Sequence, residues 1–398
     1  MTHTTFFVHC RIKPGGALNV LERLLSKDDS HHQSIYTLYS DRPFLTTYQK
    51  DPLTDKMVER VIPIITAMPC RINRIFARAD RVKPPILWSL LDYRNLFVIY
   101  PWLMRILSRK LARQVRHLRH HDHIHSHDMH IMVSSFAVAK NITRPLGIST
   151  TIYFHQPMHY IWTLYEQYVQ SFHGWKRWLY ERVTPRLRRR DSKRRPYDQI
   201  YTNSIDTADQ VRKLYHLHDS HIDVVHCPID PIYFAQTVIM HPKDYFIYVG
   251  RLATLFKEVD KLIHACNSLS LNLVIVGDGP DRAYLQSIAW PTITFLGRVS
   301  DVEKKIDLVK HARGFLGIAY ESFGIVTAEA LILGVPVFGY AKWGSAELVD
   351  DASGILIDHK DNESIVKALR QFVQHDFDRQ QIQDHAKQKL LPLQKFRE

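Results

Sequence analysis

The chain has 398 residues, 45% of them hydrophobic and 23% charged, which is enough apolar material for full cores and too little polar bias for disorder. Lys plus Arg number 53 against 40 Asp plus Glu, a formal charge of +13, so the partners to expect are anionic: phosphates, nucleic acid or an acidic membrane surface. The four cysteines, Cys10, Cys70, Cys227 and Cys266, form no CxxC pair, which argues against a zinc framework or a disulfide scaffold and suits a reducing cytoplasm.

The amino terminus, MTHTTFFVHCRIKPGG, reads as a strand entering a loop at Gly15 and Gly16, not as a basic region followed by a signal-peptide core. Residues 86–107 are apolar but interrupted by Asp92, Arg94 and Arg105. A spanning helix needs ~20 mostly uncharged residues, so this stretch reads as buried or interfacial. Basic residues crowd 105–120 and 186–197. The first run has the pattern of an amphipathic basic helix, which suits anionic lipid as well as it suits a solvated face. Neither run sits in a nucleic-acid-binding motif, so no nucleic-acid partner is expected. The run HHDHIHSHDMH at 120–130 mixes imidazole and carboxylate as metal sites do, but without a fixed helical spacing it reads as a solvated loop with no metal.

Short strands at 131–135, 150–154 and 199–202 give the first half an irregular α/β character, and the stretch 229–242, with Pro231 and Pro242 and little periodicity, reads as a linker. Beyond residue 240 the apolar runs YFIYVG, LNLVIVG, ITFLG, GFLGIAY and VPVFGY alternate with helices expected at 257–267, 281–289, 302–311 and 328–333. Unbroken apolar strands separated by helices indicate a parallel sheet covered on both faces, and such sheets bind ligands beyond the carboxyl ends of their strands.

Four segments at those ends carry chemistry. In VGRLATLFKEVDKL, Arg251 follows a strand and Lys257 is expected to open a helix, two cations suited to a diphosphate. Gly277 and Gly279 in VGDGP allow backbone to approach a ligand or simply form a tight turn, and Gly297 and Val299 in LGRVS suit the flank of a base. The fourth is AYESFGIVTAEALILGVPVFGY. Glu321 lies in a loop and Glu329 eight residues on in a helix; a carboxylate accepting from vicinal hydroxyls reads a ribose or hexose. Ser322, Phe323, Gly324, Ile325 and Thr327 lie between them, where backbone N–H groups can face an anion.

ESFGIVTAEA resembles the E-x7-E signature of the retaining nucleotide-sugar-dependent glycosyltransferases of family 4, and GRL with Lys257 resembles their diphosphate grip. VGDGP, LGRVS, GVPVFGYAKWGSAELV and SGILI follow in the family's order. In the first half SSFAVAKNI, YFHQPMHYIWTLY, YTNSIDTADQVRKLY and HCPID are similar to the bacterial mannosyltransferases that build cell-surface polysaccharide and glycolipid. Two departures stand out: Glu258 follows Lys257 where glycine or arginine is common, and Cys227 stands where a second proline is usual.

The resemblance implies the GT-B fold, two Rossmann-like α/β domains facing each other across a cleft. These would be an acceptor-side domain at 1–235, joined by a carboxyl-terminal helix at 376–398, and a nucleotide-sugar domain at 236–375. It implies transfer of a hexose, mannose from GDP-mannose or a sugar from a UDP donor, to a saccharide or lipid-linked acceptor without a metal or other cofactor. Arg251, Lys257, Glu321 and His155 would act on the reacting sugar and its diphosphate, Glu329 would hold the ribose, and Gly15 and Gly16 would lie beneath the phosphates. Read from the residues, His155 after the strand TIYF is either a site residue or a packed one, and Ser134 and Ser135 read as helix caps. A cytoplasmic enzyme, peripheral on the inner face of the plasma membrane, is the expected setting. A nucleotide-sugar 2-epimerase of the same fold and a non-catalytic nucleotide-sugar or polyanion binder are the alternative readings.

Overall fold

A computed structural model describes residues 4–12, 32–40, 58–63, 100–121, 125–135, 139–193, 196–217 and 221–390. Two compact units emerge: one of Met1–Tyr165, Phe172–Thr202 and Ala208–Val224, the other of Glu166–Ser171, Asn203–Thr207 and Val225–Glu398.

The first unit is built on seven parallel strands: β1 (Thr4–Ile12), β2 (His32–Ser40), β3 (Val58–Pro63), β4 (Met129–Ser135), β5 (Ser149–Phe154), β6 (Gln199–Thr202) and β7 (Asp223–Val224). They lie in the order β3-β2-β1-β4-β5-β6-β7, so the winding reverses between β1 and β4. Helix α1 (Tyr100–His121) explains the basic run at 105–120. Met104, Leu107, Leu111 and Val115 recur at helical spacing and are buried with Val8, Ile131 and Ile152, while Arg105, Arg109, Arg113 and Arg116 face water. From Met104 onwards the apolar stripe expected to suit a lipid surface is therefore spent on the protein's own core, with the arginines on the outer side. Next in the chain come helices α2 (Tyr165–Ser171), α3 (Gly174–Asp191) and α4 (Ile205–Tyr215), of which α2 beyond Tyr165 and the first three residues of α4 belong to the second unit.

In the second unit the strands are β8 (Phe246–Val249), β9 (Leu273–Val276), β10 (Ile293–Gly297), β11 (Gly314–Gly317), β12 (Val337–Tyr340) and β13 (Gly354–Ile357), all parallel, in the order β10-β9-β8-β11-β12-β13. This is the order of a dinucleotide-binding sheet, with its reversal between β8 and β11. The helices are α5 (Pro231–Phe234), α6 (Thr254–Lys257), α7 (Val259–Ser268), α8 (Arg282–Ile288), α9 (Val302–Lys310), α10 (Ile325–Ile332), α11 (Asn362–Gln374) and α12 (Arg379–Leu390). Ile263, Leu273, Ile275, Leu316, Phe338 and Leu369 are among the core residues packed between them.

Four expectations change. The stretch at 229–242 is not a linker: Asp230 caps α5 by accepting from the Ile232 N–H, Pro231 occupies the first turn, and Tyr233 is buried in the second unit. The helix expected at 257–267 is two helices, because Glu258 adopts left-handed geometry (φ 49°, ψ 34°) between α6 and α7. Helix α10 begins at Ile325, three residues earlier than the apolar pattern suggests, because Gly324 supplies a left-handed N-cap. The carboxyl-terminal helix α12 packs on α10, and Gln383 donates to the carbonyls of Ile332 and Gln236, so Arg379–Leu390 is part of the second unit. Among the described residues no helix is long and apolar enough to cross a membrane.

Candidate active site

The reversal of strand order in the second unit leaves a crevice beyond the carboxyl ends of β8 and β11, and the chain fills its rim from both strands. Beyond β8 come Gly250, exposed Arg251 and α6, whose last residue is Lys257. Beyond β11 comes the loop carrying Glu321, and the Lys257 ammonium donates to Glu321 Oε1. Two residues 64 positions apart in sequence thus meet as an ion pair. Lys257 ends one helix and precedes the next instead of opening one, which corrects its expected place. Among the described residues the Arg251 guanidinium has no carboxylate partner.

The loop holding Lys257 is braced by VGDGPD. Asp281 accepts from both the N–H and the hydroxyl of Thr254 at 2.7 Å, capping α6. A Cβ on Gly277 would lie 1.8 Å from the Gly250 carbonyl oxygen, and one on Gly279 2.1 Å from that of Leu252. On the side where a Cβ would stand, the space these glycines open is filled by the chain's own backbone, and this close approach joins the neighbouring strand ends. Gly297, at φ 71°, accepts from the Gly277 N–H at 2.8 Å and begins the turn to half-buried Val299.

The loop from Glu321 to Gly324 is held by the segment after β12. Gly344 donates to the Glu321 carbonyl at 3.1 Å, and Ser345 occupies the space where a Cβ on Gly324 (φ 89°) would fall. Phe323 is buried against the His226 ring, 5.0 Å between centroids, and Ser322 Oγ accepts from Asn203 Nδ2 at 3.0 Å. Ile325 opens α10 at the end of this loop, where its first N–H groups have no intrahelical partner. Thr327 and Glu329 on α10 are buried. Lys305, on α9, donates to both Glu329 oxygens at 3.0 and 3.1 Å. Burial raises the Glu329 carboxyl above its ordinary value and the Lys305 charge works against that rise. The Tyr233 hydroxyl, buried without a hydrogen bond of good geometry, stands beside the same carboxylate; burial first and that charge second push its phenol well up.

In the first unit, β4 and β5 end side by side. His155 follows β5, is 5% exposed, donates its backbone N–H to the Ser135 carbonyl at 2.8 Å and shares a 2.8 Å hydrogen bond between Nε2 and Ser134 Oγ. Ser135 Oγ accepts from the Lys140 N–H, the capping role expected of it, whereas Ser134 is a partner of the histidine. The segment after His155 is clamped by α3. Arg188 donates to the Ile161 carbonyl at 2.6 Å and stacks over Trp162 and Tyr165, Tyr180 donates to the Tyr160 carbonyl, and Trp162 Nε1 donates to Asp191 at 2.7 Å. Asp191 in turn pairs with buried Lys140 at 3.1 Å. Gly15 and Gly16 lie outside the described residues, as do residues 122–124 of the histidine run. Among the described residues no group of three or more His, Cys, Asp or Glu side chains is arranged to hold a metal ion.

Sequence reasoning missed Lys305 and Tyr233. Lys305 is one of two adjacent lysines on a helix, and nothing in the pattern says that one of them turns inward. Tyr233 sits in the stretch read as a linker. Asn203 was noticed only as part of a family pattern, and its partner Ser322 lies 119 positions away.

The geometry has relatives. Over 98% of its length the chain superposes on 97% of the HepE protein of Anabaena, solved in complex with UDP and glucose, at a TM-score of 0.58 and 15% identity, a likeness of fold. Both have the GT-B fold. Residues 70–232 match the family model described as Glycosyltransferase Family 4 and residues 230–389 that described as Glycosyl transferases group 1. The chain belongs to family 4 of the GT-B glycosyltransferases. It is 38% identical over 107 residues, 26% of each chain, to a GDP-mannose-dependent alpha-mannosyltransferase of Mycobacterium tuberculosis. It is 30% identical over 198 residues, 43% of this chain and 41% of the other, to a D-inositol 3-phosphate glycosyltransferase of Mycobacterium marinum. The chain spans between about a quarter and a half of the length of the curated relatives it matches.

Proposed function

We propose that the protein is a retaining hexosyltransferase that takes mannose from GDP-mannose and passes it to a saccharide or lipid-linked acceptor, in the synthesis of cell-surface polysaccharide or glycolipid. The observation that carries this reading is the convergence of Arg251, Lys257 and Glu321 at the switch point between β8 and β11, in a chain of this family. The likeness to GDP-mannose-dependent enzymes supports the donor.

Arg251, exposed and without a carboxylate partner among the described residues, grips the donor diphosphate with its fork of N–H groups. Lys257 exchanges part of its bond to Glu321 for a phosphate oxygen, and Glu321 then faces the sugar hydroxyls. Glu329, held ionised by Lys305, accepts from the ribose hydroxyls. The N–H groups at Gly324 and Ile325 orient the sugar. The acceptor hydroxyl attacks the anomeric carbon on the face the diphosphate leaves. The carbon–oxygen bond to the diphosphate breaks, and the departing phosphate oxygen takes the acceptor proton. Neutralising the charge that develops on the leaving group is the main electrostatic contribution. The reaction uses no metal. The enzyme works in the cytoplasm and touches the inner face of an anionic membrane, where a lipid-linked acceptor is found.

The test is a donor screen with GDP- and UDP-sugars, each with and without acceptor saccharides and lipid extract, read by released nucleotide and by the mass of the acceptor. GDP release with a hexose added to an acceptor is the expected result. Conversion of donor alone to an epimer, or nucleotide binding with no turnover on any acceptor, overturns the reading.

A further inference from the structure

Helix α3 (Gly174–Asp191) has two faces with opposite roles. Tyr180, Thr184 and Asp191 are buried, and with Arg188 they fix the helix to the segment that follows His155. On the other side Trp175, Trp178 and Leu179, spaced so that they share one face, are 59%, 64% and 40% exposed. Lys176 flanks them, Arg182, Arg186, Arg189 and Arg190 continue the same side of the helix towards its carboxyl end, and Arg177 lies on the far side; all six are exposed. The one exposed acid of the helix, Glu181, pairs with Arg177 at 3.0 Å, and Asp191 is buried with Lys140. Two bare indoles and a leucine at the head of a row of cations are costly to leave in water, and their chemistry is not that of a polar solvated helix.

We propose that Trp175, Trp178 and Leu179 seat in the headgroup region of an anionic bilayer, with the surrounding lysine and arginines on the lipid phosphates. Indole is the side chain that partitions best to this depth, because its body is apolar and its N–H keeps a polar partner. Charge complementarity selects anionic lipid: each cation near such a surface contributes about fivefold in partitioning, from about 1 kcal/mol apiece. The basic helix α1 is less suited to this, since Met104, Leu107, Leu111 and Val115 lie in the protein core. The inference deepens the membrane contact in the proposed function by naming its surface, and its test needs no nucleotide sugar.

The full chain is mixed with phosphatidylcholine vesicles with and without phosphatidylglycerol and floated on a density gradient. The variants are Trp175→Ser/Trp178→Ser, Trp178→Ser alone, and Arg182→Gln/Arg186→Gln, each checked by circular dichroism and by sedimentation for its oligomeric state. The expected result is flotation with phosphatidylglycerol vesicles only. It should weaken at least about tenfold in the double tryptophan variant and by roughly 25-fold in the arginine variant, which removes two cations at about fivefold each, with melting and oligomeric state unchanged. Quenching of wild-type tryptophan fluorescence by brominated lipid, reduced in Trp178→Ser, is expected alongside. Equal flotation of the wild type and a folded tryptophan variant overturns the proposal. So does a wild type that ignores vesicles but self-associates through this face. Vesicle binding without any sugar transfer leaves this surface standing and removes the catalytic reading instead.

Discussion

Lys305 reaches across from α9 to both oxygens of Glu329 on α10, at 3.0 and 3.1 Å. Glu329 is 7% exposed, and a carboxylate that deep stays charged only with such a partner. Replacing Lys305 with Met leaves the acid unpaired, which costs about 3–5 kcal/mol if it remains ionised. The acid escapes part of that cost by holding its proton, since burial already raises it above the ordinary range. In a group whose folded value is raised, the folded state binds the extra proton between the unfolded and folded values, so stability falls as pH rises through that window. Lys305→Met is therefore expected to melt at progressively lower temperature from pH 5 to pH 8 relative to the parent. Donor affinity, which needs the carboxylate, should improve over the same range. Calorimetric titration with GDP-mannose alongside melting curves tests this; affinity and melting temperature moving together count against Glu329 as the ribose acceptor.

Arg251 is exposed, so removing it should leave the fold alone while stripping the leaving group of its main counter-charge. Arg251→Ala is expected to lower kcat by roughly 10²–10³-fold, the range seen for loss of one transition-state donor, with melting unchanged. Near-normal transfer by the folded variant removes Arg251 from the diphosphate site.

Glu258 occupies left-handed backbone that costs a non-glycine residue about 1–2 kcal/mol. Its carboxylate pairs with Lys261 at 2.8 Å and with Lys360, which partly offsets that cost. Glu258→Ala keeps the strain and loses both pairs, whereas Glu258→Gly loses the pairs and the strain. The alanine variant should be less stable than the glycine variant by about 1 kcal/mol. Chemical denaturation of the two side by side decides it, and an alanine variant as stable as the glycine one shows that the strain is absent.

His226, packed on Phe323, is lowered to about 4 from an ordinary 6.5, chiefly by burial and then by the charge of Lys389. A base with a depressed folded value stays neutral in the native state while the unfolded chain takes up a proton, so stability is lost as pH falls from about 6.5 towards about 4. His226→Phe should flatten the acid limb of a melting temperature against pH profile. An acid limb of unchanged slope assigns that loss to other groups.

Strand positions in the second half were legible because a strand buried on both faces must be apolar throughout, and β9 and β11 fall inside LNLVIVG and GFLGIAY. The pairing of Lys257 with Glu321 was not legible, although each was singled out, because strand order places β8 beside β11 and a sequence does not display strand order. Where backbone geometry decided, the pattern misled. Glu258 breaks a helix whose periodicity runs on, and Gly324 starts another three residues before its apolar stripe. The departure from glycine at position 258 was visible in the sequence; its meaning, a left-handed residue between two helices, needed coordinates. On α1 the apolar stripe was correctly seen, but an amphipathic pattern does not say whether protein or lipid covers it.

The carbonyls of Gly250 and Leu252 stand where side chains at 277 and 279 would have to go. For anyone diversifying this chain by saturation mutagenesis to accept a different donor, those two positions are closed to every other residue, and variants there will be lost as insoluble protein before any selection acts on activity.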